Sequence, residues 1–302
     1  MKYLDPKNDL IFKKVFGQHP DILRSFLNSM LPLPEGREIV ELEYLSPEMI
    51  PETFLEKFTS VDVRCKDNFG RQFLVEMQMN WTTAFKQRVL FNASKAYVTQ
   101  SHKGSEFRSL KPVYALNLIN ENYLPQSPDY YHHYAVVHLQ DSNERLHGLE
   151  FVFIELEKFK AQNITEKKLQ VLWLRFLTEI NEKTGHIAPE LLEHPEIQKA
   201  LESVMEASMS KEEMMLYEKN WDRISSEKTL LSAAREDGWK EGIAMGIPQG
   251  EVRGVYKSAI AMLRKQFSIE QIANILPLSQ SKIAELKKLL DQYGDSAEDH
   301  LG

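Results

Sequence analysis

Between Ser60 and Met79 two carboxylates, Asp62 and Glu76, lie on stretches of alternating polarity joined by Asn68-Phe69-Gly70. Val61, Val63 and Cys65 alternate with Asp62, Arg64 and Lys66; beyond the turn, Phe73, Val75, Met77 and Met79 alternate with Leu74, Glu76 and Gln78. This period of two predicts a β-hairpin. A three-residue loop with Gly70 in the left-handed position pairs Asp67 with Arg71, which sets Val61 opposite Met77, Val63 opposite Val75, Cys65 opposite Phe73 and Asp62 opposite Glu76. A slip of one residue would set apolar against polar positions throughout. Facing carboxylates repel unless a cation lies between them or one holds a proton. A hard divalent ion such as Mg2+ is the natural counter-charge, since it takes one or two carboxylates together with waters and phosphate oxygens. Gln78 shares the face of Glu76 and offers an amide oxygen, while the backbone carbonyl of Met77 is another oxygen donor. Arg88 and Lys95, on the following segment, would meet a phosphate if that segment crosses the sheet edge. The bland alternative is a solvent-facing strand whose carboxylates Arg64 neutralises.

The surrounding elements must position these groups. Leu10, Ile11, Val15 and Phe16 recur at helical spacing from Asn8 to Phe16, with Asn8 or Asp9 available as a cap, and a second helix is expected from about Pro20 to Met30 before Leu31-Pro-Leu-Pro breaks it. After the hairpin, Thr82 or Thr83 would cap a helix reaching about His102, with Gly104 as its stop. Strands are expected at Val113 to Ile119, Tyr134 to Leu139 and Phe151 to Leu156. That order implies an α/β domain over residues 1–160. Helical periodicity follows over 161–237, including Lys167 to Thr178 and Pro189 to Met209. Gly238, Gly242, Gly246, Gly250 and Gly254 then step by four through 238–256. Such a stripe suits either a self-association seam between copies of the chain or, with Pro248 inside it, a hinge. Residues 257–302 read as a small three-helix unit with Ser268 and Ser279 as caps.

Taken together, these segments resemble the Rpn family of recombination-promoting nucleases, transposase-like members of the PD-(D/E)XK nuclease superfamily. The resemblance rests on Asn8-Asp9-Leu10-Ile11-Phe12-Lys13-Lys14-Val15-Phe16-Gly17, Ser60-Val61-Asp62-Val63-Arg64 and Phe73-Leu74-Val75-Glu76-Met77-Gln78, continued by Arg88, Tyr97, Gln100, Gly104, Phe107, Leu110-Lys111-Pro112-Val113 and Phe153-Ile154-Glu155-Leu156-Glu157-Lys158. The glycine ladder and Phe267-Ser268-Ile269-Glu270-Gln271-Ile272-Ala273 complete it. It implies a restriction-endonuclease-like αβββαβ core followed by an all-helical region, and a Mg2+-dependent endonuclease acting on DNA. Asp62 and Glu76 would then be the metal carboxylates, with Gln78 where the superfamily motif carries lysine. A lysine there stabilises developing phosphorane charge, whereas a neutral amide only positions the water. Lys66, Lys86 or Arg88 would supply the missing charge, and Asp9 is placed to add an acidic group from the first helix as well as to cap it. The competing class is a nuclease fold that binds DNA or assembles without turnover.

Composition bounds these readings. A chain of 302 residues suggests about two domains, and 42% hydrophobic with 27% charged residues excludes disordered and fibrous classes. No apolar run approaches the ~20 residues of a membrane helix, and the first residues lack a signal-peptide core, so a cytoplasmic protein is expected. The lone Cys65 excludes internal disulfides and multi-cysteine metal sites, and on the apolar hairpin face it reads as a buried thiol. His132, His133 and His138 lack metal-ligand spacing, and Tyr123, Tyr130, Tyr131 and Tyr134 read as packing beneath a loop. A net charge of -7 argues against a uniformly basic surface, yet residues 257–290 hold six Lys or Arg against two Glu. The unit resembles a helix-turn-helix in length and charge, with Lys282, Lys287 and Lys288 near its end, and reads either as a DNA-binding element or as a docking or dimer module.

Overall fold

Asn8 starts the first helix by accepting the Leu10 N–H on its side chain at 3.1 Å, so α1 (Asp9–Gln18) begins with Asp9 inside its first turn. The helix runs through Gly17, and Ile11, Phe12, Val15 and Phe16 are buried along one side. Pro20 opens α2 (Pro20–Met30), where its missing N–H costs nothing. The computed structural model describes residues 2–49, 59–101, 106–160 and 168–301. The chain forms two compact units, Met1–Lys228 and Thr229–Gly302.

The first unit is mixed α/β. Its strands are β1 (Leu42–Tyr44), β2 (Glu48–Met49), β3 (Thr59–Ser60), β4 (Val63–Asp67), β5 (Gln72–Gln78), β6 (Val113–Ile119), β7 (Tyr131–His138) and β8 (Asp141–Glu155). β2 and β3 pair separately, and the other strands form one sheet in the order β1-β4-β5-β6-β8-β7. The β5–β6 and β6–β8 pairs are parallel, and the remaining pairs are antiparallel.

The hairpin register follows the alternation: Val63 pairs with Val75 and Cys65 with Phe73. Gly70 adopts φ +78°, and its N–H returns to the Asp67 carbonyl at 2.9 Å. The expected pairing of Val61 with Met77 and Asp62 with Glu76 does not form. β4 begins only at Val63, because Asp62 lies in a bend where its side chain takes the Met77 N–H at 2.8 Å. The chain turns there, and Val61 joins the opposite apolar layer.

Two such layers sandwich the sheet. Val63, Cys65, Phe73 and Val75 meet Phe12, Phe16 and Phe26 of α1 and α2 on one face. Leu74, Ala115 and Phe153 meet Phe85, Val89 and Ala93 on the other, carried by α3 (Ala84–Val98). Cys65 is fully buried in the first layer, which pushes its thiol pKa up and leaves it inert. α3 ends at Val98 instead of running to His102; the stop expected at Gly104 lies outside the described residues. β7 and β8 are longer than the local pattern predicts, since they form a hairpin closing at His138 and Asp141 whose outer half is solvated on both faces and lacks alternation.

The helices after residue 160 complete this unit. α4 (Lys168–Glu179), α5 (Pro189–Leu192) and α6 (Pro195–Ser203) bury Trp173, Phe176, Leu177, Leu191 and Leu201 in the layer that also holds α1 and α2. The compact unit therefore extends to Lys228 and does not end near 160. Lys167, expected to open α4, lies outside the described residues. α7 (Lys211–Arg264) starts with a reciprocal cap between Ser210 and Glu213 and is continuous through Pro248 and all five laddered glycines. These glycines are exposed, and beyond their chain neighbours and the adjoining turns of their own helix no described residue approaches within 4 Å of a Cβ placed on any of them.

In the second unit, α8 (Ile269–Ile275) and α9 (Gln280–Tyr293) pack around Ala259, Ile260, Ile272, Ile283 and Leu286. Ser268 and Ser279 cap them, the former in a full capping box with Gln271.

Candidate active site

Asp9, Asp62 and Glu76 border one cleft of about 790 Å3 in the first unit, at the edge where β5 ends. Each arrives by a different local device. The Asn8 cap leaves Asp9 free of capping duty, the bend at Asp62 turns its carboxylate onto the Met77 N–H, and strand alternation sends Glu76 to the face covered by α3. There Glu76 is buried, accepting from Asn92 at 2.8 Å and from Arg88 at 3.2 Å.

Both central carboxylates resist ionisation. Burial pushes the Asp62 pKa up to about 7, helped by the charges of Asp9 and Glu76 and opposed by Lys13 and the Met77 N–H. Burial also raises Glu76, against the pull of Arg88 and Asn92. Lys13 Nζ sits 2.7 Å from Asp9 Oδ1 and 3.4 Å from Asp62 Oδ1, so one ammonium serves two carboxylates. Arg88 likewise serves two groups, since it also donates to Gln78 Oε1 at 2.6 Å. The Gln78 amide nitrogen donates to the Asn80 carbonyl at 2.6 Å, which fixes the amide's orientation.

Other cations expected nearby point elsewhere. Arg64 donates to Gln72, Lys66 pairs with Glu43 at 3.0 Å, and Lys86 lies over the Tyr123 ring at 4.5 Å. Lys95 is buried on α3 and is not among the described residues that border the cleft. Lys282 pairs with Glu285 in the second unit, where Lys287 and Lys288 are exposed. His132 and His133 bind the carboxylates of Glu155 and Glu150, and the tyrosines pack: Tyr123 stacks on Phe153 and bonds Tyr134, while Tyr131 donates to the Met30 carbonyl.

Four residues at the site escaped the sequence reading. Lys13 carried a readable signal, an i, i+4 spacing from Asp9. Asn92 carried one too, since it shares a helix face with Arg88 four residues before it; Asn80 and Arg223 carried none, because their places depend on how α7 packs against the sheet edge.

Among the described residues, no group of three His, Cys, Asp or Glu side chains forms a ready-made metal cluster. The candidate donors at the cleft, the Asp62 and Glu76 carboxylates and the backbone carbonyl of Met77, are all oxygens. That set fits a hard cation retaining several waters, and does not fit a soft or imidazole-seeking one.

Residues 6–234 match the family model described as PD-(D/E)XK nuclease family transposase. The chain belongs to this family. The match spans the whole sheet, α4 to α6 and the start of α7, so the helices closing the first unit are part of the PD-(D/E)XK transposase module. No curated protein and no solved structure matches the chain. Among the described residues of this family member, no helix is long and apolar enough to cross a membrane.

Proposed function

We propose that this PD-(D/E)XK family member is a Mg2+-dependent DNA endonuclease, with Asp62 and Glu76 as its metal carboxylates. The observation that carries this reading is the convergence of two carboxylates, both shifted upward by burial, on one cleft in a nuclease-type family. The order α1, β1, β4, β5, α3, β6 is in keeping with the superfamily's αβββαβ core.

Hydrolysis adds water across one phosphodiester P–O bond: the water oxygen bonds to phosphorus, the bond to one sugar oxygen breaks, and that oxygen ends with a water-derived proton. Asp62, Glu76 and the Met77 carbonyl would hold the ion, which when bound lowers the pKa of the attacking water and polarises the phosphate. Asp62 is held for this by the Met77 N–H, and Glu76 by Asn92. Gln78 keeps Arg88 at the cleft, where its guanidinium can meet phosphate oxygens. Lys13 and Arg88 are the basic groups in contact with the site carboxylates, in place of the motif lysine.

A plasmid-nicking assay tests the reading. Wild type should nick with Mg2+ and not with EDTA, and Asp62→Ala should not nick although it folds. Nicking by purified Asp62→Ala at the wild-type rate would reject it. One observation favours a second reading, a DNA-binding or assembly protein without turnover: the carboxylates already hold Lys13 and Arg88, and Gln78 replaces lysine. That reading predicts DNA binding by wild type without nicking under any divalent ion.

A further inference from the structure

The cleft is straddled by helices from opposite faces of the sheet. α3 belongs to one apolar layer through Phe85 and Val89, and α7 to the other through Tyr217, Met214 and Trp221. Asn80, just beyond β5, fastens α7 at the cleft: its buried amide donates to the Ile224 carbonyl at 3.1 Å and to Glu227 Oε2 at 3.3 Å.

The cations bordering the cleft differ in how far they are engaged. Lys7 is tied to Asp5 at 3.0 Å and to the Leu177 carbonyl at 3.2 Å. Arg88 is shared between Glu76 and Gln78. Arg223 is exposed, and no described residue pairs with its guanidinium. Its ordinary helical partner would be Glu227, four residues on, but Asn80 holds that carboxylate instead. An uncommitted guanidinium on the wall of a carboxylate-lined cleft is open to an anion from outside, and its planar donor fork matches phosphate.

We propose that Arg223 contacts the phosphate backbone of bound DNA, so that α7 and α3 hold the nucleic acid from both sides of Asp62 and Glu76. The identity of the ligand rests on the nuclease reading above. Asn80 is the positioning residue that presents Arg223 by fixing its helix and occupying Glu227.

Anisotropy titrations of a fluorescein-labelled DNA duplex, run in EDTA over a series of salt concentrations, test this without turnover. Arg223→Ala should weaken binding several-fold and lower the slope of log affinity against log salt by ~0.9, the value of one lost phosphate contact. Arg223→Lys should keep the slope, because it keeps the charge, and the thermal midpoint should not move, because Arg223 is exposed. A wild-type slope and affinity in Arg223→Ala, or no duplex binding by wild type, overturns the proposal. The two readings fail separately. If Arg223→Ala binds normally while wild type nicks plasmid and Asp62→Ala does not, the clamp is wrong and the nuclease stands. If the slope falls in a protein that never nicks, the clamp belongs to a DNA-binding protein.

Discussion

Asp62 and Met77 are joined side chain to backbone, Oδ2 accepting the N–H at 2.8 Å, at the point where β4 has not yet begun. The carboxylate does the work of a strand carbonyl. It ends the ladder with β5, brings Asp62 beside the segment Glu76-Met77-Gln78, and lets the chain turn so that Val61 and Val63 serve opposite apolar layers.

This position makes stability depend on pH. Asp62 is pushed up from an ordinary value of 3.8 to about 7 in the fold, so between those values the folded chain holds a proton that the unfolded chain has released. Its contribution favours folding at low pH and is lost as pH rises through about 7. Glu76 shifts in the same direction. Depressed carboxylates such as Asp21 and Glu155 act the opposite way, so the informative comparison is between variants. Thermal midpoints in EDTA should show that Asp62→Asn loses less stability than wild type on going from mildly acidic to neutral pH.

Lys13 competes with any metal ion for Asp62. Lys13→Met should therefore bind Mn2+ or Mg2+ more tightly. The gain should be roughly fivefold at most, since a half-exposed pair contributes ~1 kcal/mol or less. Titration calorimetry on the two proteins measures it directly, and weaker binding by the variant would show that Lys13 organises the site instead of blocking it.

Arg88 and Gln78 act as one unit. Single substitutions Arg88→Ala and Gln78→Ala should each slow single-turnover cleavage about tenfold or more, and the double variant should be little slower than the worse single one. Fully additive losses would show that Gln78 has a role independent of Arg88.

The helices after residue 160 are integral to the first unit. Trp173 is fully buried against Phe16, Phe26 and Phe176. Trp173→Ala should cost ~3–5 kcal/mol in urea unfolding, and the loss should be seen by probes on the sheet as well as on α4. A loss confined to α4 would mean that these helices unfold separately.

The parts legible in the sequence are those with a local cause. The β4–β5 register shows because Val63, Cys65, Phe73 and Val75 alternate with polar or opposite-face residues, and Gly70 marks the turn. Asn8, Ser268 and Ser279 show as caps because a side-chain oxygen two or three residues ahead of an N–H is a local geometry. The outer half of β7–β8 does not show, because strands solvated on both faces have no reason to alternate. The bend at Asp62 is invisible for a different reason: alternation continues through Val61, and only the side-chain bond to Met77 breaks it. The expected end of the first unit near 160 fails because Trp173 and Phe176 carry helical periodicity that does not say which core they fill. Arg223 lies far along the chain from Asp62, and only packing of α7 brings them to one cleft.

Binding of Mn2+ in the absence of DNA tests most directly whether Asp62 and Glu76 share an ion. Wild type should bind it at a site lost in both Asp62→Asn and Glu76→Gln, with Asp9→Asn weakening it less. Unchanged affinity in both of the first two variants would contradict the account.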